Sequence, residues 1–212
     1  MLEIALTAFA NFFVTLDPIG VVPFFVALTA GFTPAARRAT ALKGIAVAGV
    51  ILLLFTVVGQ PLLHYLGITL PAFRVAGGLL LLLLAVDMVM AKEGGMRATT
   101  PKEEEDTALR RPDVAVFPLA FPLIAGPGAI ASAILMQAQH VGNPAAQVVV
   151  AAVMIGVLGL VGLSFALAKP IMALLGLTGV NVLTRVLGII LAALAVNNVI
   201  EGLRASFPAL GG

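Results

Sequence analysis

The chain has 212 residues, of which 61% are apolar and only 10% charged, with a formal net charge of +2. A soluble domain carries about 25% charged residues, so this composition excludes a soluble globule and marks an integral membrane protein. The absence of Cys excludes a disulfide framework, thiol catalysis and thiolate metal sites.

A membrane-spanning helix needs about 20 apolar residues. Six stretches qualify in chain order: 4–28, 41–65, 70–91, 114–136, 147–168 and 180–202. The start, "MLEIALTAFANFF", lacks a basic n-region and a small-residue cleavage site, so it reads as a retained first helix rather than a signal peptide. The first stretch is interrupted by "LDPIG". Pro18 has no N–H and clashes with the preceding turn, and Gly20 adds freedom. The residue before a proline is pushed out of the helical region. Asp17 is therefore expected to cap a new half-helix that begins at Pro18.

Between the third and fourth stretches lies the polar segment 92–113, which holds six of the ten acids and five of the twelve basic residues. It reads as a solvated linker. The fourth stretch is broken in its turn by Gly126-Pro127-Gly128, without a charge. In the fifth, Ala152, Gly156, Gly159 and Gly162 form a small-residue face suited to close helix packing.

With six spans, one side of the membrane collects Arg37, Arg38, Lys43, Lys92, Arg97, Lys102, Arg110, Arg111, Lys169 and Arg185, against Arg74 and Arg204 on the other. The positive-inside rule then puts both termini outside the cytoplasm.

The second half realigns on the first. "QPLLHYLGIT" from Gln60 matches "KPIMALLGLT" from Lys169, pairing Pro61 with Pro170, Gly67 with Gly176 and Thr69 with Thr178. The same offset of 109 lays Pro18 on Pro127, and "RVAGG" from Arg74 aligns with "RVLGI" from Arg185 after a slip of two. Asp87 then falls on Asn198. Three spans per half is an odd number, so the halves enter the membrane from opposite sides. The expected fold is an all-α membrane protein of six helices in two inverted repeats, 1–91 and 114–212, joined by 92–113, with helices 1 and 4 broken near the midplane. This plan is common among secondary transporters.

Broken helices at membrane depth persist only where protein or a wet cavity satisfies the freed backbone. Half-helix N-termini after Pro18 and Pro127 would seat a carboxylate, and Asp17 an ammonium group or a proton. An ionised Asp at the bilayer centre costs about 2.5–3.5 kcal/mol on insertion scales and commonly faces a cavity or partner; the competing reading is a cap beside ordinary membrane prolines. The candidate binding residues are Asn11, Thr15, Asp17, Pro18, Ile19 and Gly20 in one half, and Ala125, Gly126, Pro127, Gly128 and Ala129 in the other. Candidate coupling or gate residues are Asp17, Asp87, Asn197 and Asn198, with an interfacial salt bridge from Asp87 to Lys92 as the alternative. Arg74 and Arg185 read as snorkelling side chains. No cofactor, metal cluster, phosphate loop or nucleic-acid surface is expected.

"LDPIGVVPFFVALT", "AFRVAGGLLLLLLAVDMV" and "FPLIAGPGAIASAI" resemble the MarC family of bacterial and archaeal inner-membrane proteins, over all but the linker. The resemblance implies six helices and, as in SnatA-like members, proton-coupled transport of glycine and other small neutral amino acids. Where the family often carries Asn after Asp-Pro-Ile-Gly, this chain has Val21. Alternatives are export of another small metabolite or drug-like solute, a channel or lipid-handling scaffold, and an intramembrane aspartyl protease using Asp17 and Asp87. A protease needs two carboxylates sharing a water, and its usual Gly-x-Gly-Asp context is absent. The implied partners are a small neutral amino acid, a proton and the bilayer of a bacterial or archaeal cytoplasmic membrane.

Overall fold

The computed structural model describes residues 1–90 and 113–207, and these are helical without a strand. The elements in order are α1 (Leu2–Leu16), α2 (Val22–Leu28), α3 (Pro34–Tyr65), α4 (Leu70–Met90), α5 (Ala115–Ile124), α6 (Pro127–Ala138), α7 (Pro144–Ala166) and α8 (Ala168–Ser206). Of the linker, only Asp113 falls among the described residues, so the expected Asp87–Lys92 pair lies outside them.

Four helices, α3, α4, α7 and α8, are long and apolar enough to cross a membrane, and α5 with α6, bent by 56°, count as a fifth if taken as one span. α1 is apolar but has 15 residues, about 22 Å of rise, short of the ~30 Å hydrocarbon core. Its continuation is lost at Asp17, where the break expected from Pro18 occurs.

Helices α3, α7 and α8 begin earlier than hydropathy suggested, at 34, 144 and 168 against 41, 147 and 180. The α3 and α7 starts are set by Thr33-Pro34 and Asn143-Pro144, whose cap side chains accept from the N–H of Ala36 and Ala146. A capping oxygen followed by proline at the first helical position is a strong start signal, and it outranks the polar residues that follow. α5 is irregular because "FPLAFPLI" repeats the Phe-Pro step. Phe117 and Phe121 are extended, at φ −133° and −131°, as residues before proline must be. α8 is broken at Gly176, where φ is 60°.

α4 and α8 form an antiparallel seam with glycine at its closest approaches. A Cβ on Gly78 would lie 2.8 Å from the Ala195 carbonyl, and one on Gly188 would lie 2.9 Å from Met88 Cβ. A Cβ on Gly202 would lie 2.8 Å from the Pro71 carbonyl. Arg74 closes one end of the seam on Glu201 at 3.1 Å, so it is an ion-pair partner across two helices as well as an interfacial side chain. The other helices share a second core, in which Phe25 of α2 stacks on Phe165 of α7 at 4.2 Å. Lipid-facing positions such as Val57, Leu83, Val148 and Ile189 are exposed, as a bilayer solvent allows.

The small face of the fifth stretch divides. Gly162 packs on Ile45 of α3, whereas a Cβ on Gly156 or Gly159 would meet nothing within 4 Å. Only part of that face serves packing within the chain.

Candidate functional site

The two breaks differ in polarity. Asp17 does not open a new half-helix: it closes α1, in the left-handed region at φ 45°. Its Oδ1 accepts the Gly20 N–H at 3.0 Å, its carbonyl accepts Val21, and the Ile19 carbonyl accepts Val22. The donors that were to seat a carboxylate at the first break are therefore engaged locally. α2 starts only at Val22 and has 7 residues. Asp17 is fully buried and sits at the negative end of the α1 dipole, a setting that suits a proton or another cation.

The second break has the opposite character. Gly126 caps α6 in extended conformation with Pro127 at the first helical position, and no side chain caps the free N–H groups. The positive end of the α6 dipole opens on a small cavity lined by Thr15, Leu84, Pro122 and Gly126, Pro127, Gly128 and Ala129. The cavity has room for about one water. Gly126 is required because a Cβ there would lie 2.5 Å from the Pro122 carbonyl. Ala125 is buried behind this wall, its N–H spent on the Ala120 carbonyl at 2.8 Å.

The structure brings some predicted residues together and separates others. Thr15 joins the α6 terminus at the cavity, and Asn11 is tied to α6 through a hydrogen bond from Ser132. Thr15 also donates to the Asn11 carbonyl at 2.7 Å. Pro18 is buried and Ile19 half-buried in the turn between α1 and α2. Asp17 and Gly20 do not line the cavity; they face Thr184 of α8. Gly128 packs on Leu84, one turn from Met88 on the seam, and Thr184 lies one turn beyond Gly188 in the other direction. The two breaks thus pack on different helices, the second on Leu84 of α4 and the first on Thr184 of α8.

Asn197 donates to Glu201 at 3.0 Å and belongs to the Arg74 cluster. Asn198 is buried on α8, and Asp87 is half-buried on α4 beside Met88, which packs on Gly188. None of the three lines the cavity. Val21 is fully buried in the larger apolar core, which accounts for an apolar side chain at that position.

Ser132 and Thr184 were not singled out from sequence. Ser132 is the only hydroxyl in "GPGAIASAILMQA" and had that modest signal; Thr184, beside Arg185, had none.

The MarC family integral membrane protein model matches residues 2–207. This chain belongs to the MarC family. It is 36% identical to the UPF0056 membrane protein YvbG of Bacillus subtilis over 99% of both chains. It is 35% identical to a UPF0056 membrane protein of Methanocaldococcus jannaschii, covering 97% of this chain and 98% of that one. The UPF0056 membrane protein YhcE of Escherichia coli is 34% identical over 95% of this chain and 93% of its own. No solved structure matches. The MarC chain is thus a multi-pass integral membrane protein with bacterial and archaeal relatives.

Proposed function

We propose that this MarC chain is a secondary transporter of small neutral amino acids, of the glycine, alanine and serine class. It is coupled to protons and works by alternating access between two inverted halves, 1–91 and 114–212, of three spans each. The observation that carries the reading is the pairing of opposite dipole ends at two helix breaks. An uncapped α6 N-terminus faces a cavity walled by Thr15, and a buried Asp17 closes α1. The first suits a substrate carboxylate; the second suits a cation or a proton.

The inverted repeat is supported by two features of the fold. Gly67 and Gly176, both at positive φ, fall on the offset of 109, and Gly31 and Gly142, also at positive φ, each stand in the turn that leads into the cap-proline starts of α3 and α7. Helix packing is in part exchange-related: α1 on α7 matches α5 on α3, α2 on α8 matches α6 on α4, and α3–α7 and α4–α8 map onto themselves, whereas the packing of α1 on α6 and α8 has no counterpart of like extent for α5. The water-sized cavity holds no amino acid as it stands, so substrate entry requires α1 and α6 to part at the Ser132–Asn11 contact. That is the motion that alternating access demands. The distribution of basic residues favours a cytoplasmic membrane with both termini outside. Direction follows the gradients, so the same cycle exports when they reverse.

The first test is a thermal-shift screen of the purified protein against the twenty amino acids, followed by glycine uptake into proteoliposomes with and without a pH gradient. A stabilising shift confined to Gly, Ala or Ser, and uptake raised by an inward proton gradient, is expected. No shift with any amino acid and no uptake overturns the transporter reading. Gradient-driven uptake that survives Asp17→Asn overturns the coupling role of Asp17.

A further inference from the structure

Thr184 is the unusual hydroxyl of this fold. Thr15, Thr29, Thr56, Ser164 and Ser206 each donate to the carbonyl four residues back, at 2.7–2.9 Å. That bond is the ordinary refuge of a helix hydroxyl. Thr184 lies within α8 but does not take it: its Oγ1 is buried and has no hydrogen-bond partner among the described residues. A buried polar atom left unpartnered is destabilising, so its orientation calls for a physical reason.

Its surroundings supply one. A Cβ built on Gly20 would lie 2.6 Å from Thr184 Oγ1 and 2.6 Å from Asp17 Cγ, and closer still to Asp17 Oδ2. The hydroxyl of one half and the carboxylate of the other converge on the space that Gly20 leaves open. Gly20 does not have a positive φ, so glycine is needed there for this approach, not for backbone conformation.

From that juxtaposition we infer that Thr184 is a positioning residue for a proton site at Asp17, an inference that rests on the proton-coupled reading above. A hydroxyl serves both protonation states of a carboxyl. It donates to the ionised form, and it accepts from the O–H once a proton from the aqueous phase has added to the carboxylate oxygen. This convergence joins α1 and α8, so gain or loss of the proton would act between elements of the two halves. Other charged groups near this contact are few. α2, α6 and α7, which pack around it, carry no titratable side chain, and Glu3 lies at the far end of α1. On α8, Arg185 adjoins Thr184 and is exposed, Lys169 precedes the Gly176 break, and Glu201 and Arg204 sit at the opposite end of the seam. Asp87 on α4 is the nearest further carboxyl along the seam.

The test measures two quantities in the same proteoliposomes: glycine accumulation driven by a pH gradient, and glycine counterflow without one. Counterflow reports the amount of folded carrier, so the ratio isolates coupling. Thr184→Val keeps the shape and removes the hydroxyl, and Thr184→Ser keeps the hydroxyl. The ratio is expected to fall at least tenfold in Thr184→Val and to stay within twofold of wild type in Thr184→Ser. A wild-type ratio in Thr184→Val overturns the inference while leaving the transporter reading intact. A fall in Thr184→Ser equal to that in Thr184→Val assigns the methyl a packing role and also overturns it. Wild-type counterflow without gradient-driven accumulation, or accumulation that follows sodium and ignores pH, overturns proton coupling and this inference together. No wild-type counterflow overturns the transporter reading and the inference with it.

Discussion

Replacing Gly20 with Ala tests the closest approach in the candidate site. The added methyl would fall 2.6 Å from Asp17 Cγ and from Thr184 Oγ1, distances at which something must move. Because Gly20 does not have a positive φ, alanine brings no backbone strain and the effect is steric. The carboxylate must swing away, and the Gly20 N–H loses its 3.0 Å bond to Oδ1. Overpacking costs about 1–3 kcal/mol, and a hydrogen bond to a charged group about 1.5–3 kcal/mol. A combined loss of about 3 kcal/mol is at the low end. For a chain of this size that lowers the unfolding midpoint by roughly 6–12 °C. The assay is the apparent midpoint in detergent at one fixed scan rate, since membrane-protein unfolding is often kinetically controlled. Gly156→Ala is the matched control. Its methyl meets nothing within 4 Å, and helix propensity favours Ala by about 0.8–1 kcal/mol, so its midpoint should hold or rise. A second background sharpens the test: Asp17→Ala removes the carboxylate part of the obstruction and leaves that of Thr184, so the double variant should lose less than the two singles added together. A Gly20→Ala midpoint within about 2 °C of wild type would refute the reasoning, because the turn would then have room that the geometry denies it.

Three further outcomes follow from other contacts. Gly78→Ala drives a methyl against the Ala195 carbonyl and the Val199 backbone nitrogen, so it should destabilise the α4–α8 seam by about 1–3 kcal/mol in the same melting assay; an unchanged midpoint would mean the seam is loose. Ser132→Ala removes the donor to buried Asn11, and should cost about 1–3 kcal/mol and weaken glycine binding measured by thermal shift, while an unchanged response would place Asn11 outside the binding region. The Lys43 ammonium beside Asp113 holds that carboxyl below its ordinary value of 3.8. The pair therefore stabilises above that pH and loses its contribution as pH falls through the lower folded value. Both side chains are about half exposed, so Asp113→Asn should move the neutral-pH midpoint by no more than about 2–4 °C, and a larger drop would show that the pair anchors α5.

Much of the candidate site was legible because its signals are local. Pro18, Pro127 and their glycines mark the breaks through a missing N–H and a missing Cβ, properties that no tertiary context changes. The cap-proline starts of α3 and α7 and the Phe-Pro steps of α5 were equally local, and hydropathy merely concealed them. Which way each break points was not local. Asp17 is a good N-cap by type, yet it closes α1 because Gly20 lets its carboxylate fold back onto the turn beneath Thr184. The expectation of two equivalent carboxylate seats failed for that reason. Thr184 and Ser132 were illegible because a helix hydroxyl ordinarily bonds its own backbone, so its sequence carries no sign of the exceptions.

By itself the sequence determined that the chain lives in a membrane, that two of its apolar runs are interrupted, that segments of its second half realign on the first at an offset of 109, and that it resembles the MarC family. These follow from composition, from proline and glycine chemistry, and from register, all of which are written along the chain. Only the tertiary structure decided that the breaks present opposite dipole ends and pack on different helices. It also decided that Thr15 meets the α6 terminus, and that Thr184, 167 positions along the sequence from Asp17, converges with its carboxylate on the space that Gly20 leaves open. Those facts depend on which helix packs against which, and glycine contacts along the α4–α8 seam and at Gly20 set that packing by letting backbones approach where any side chain would hold them apart.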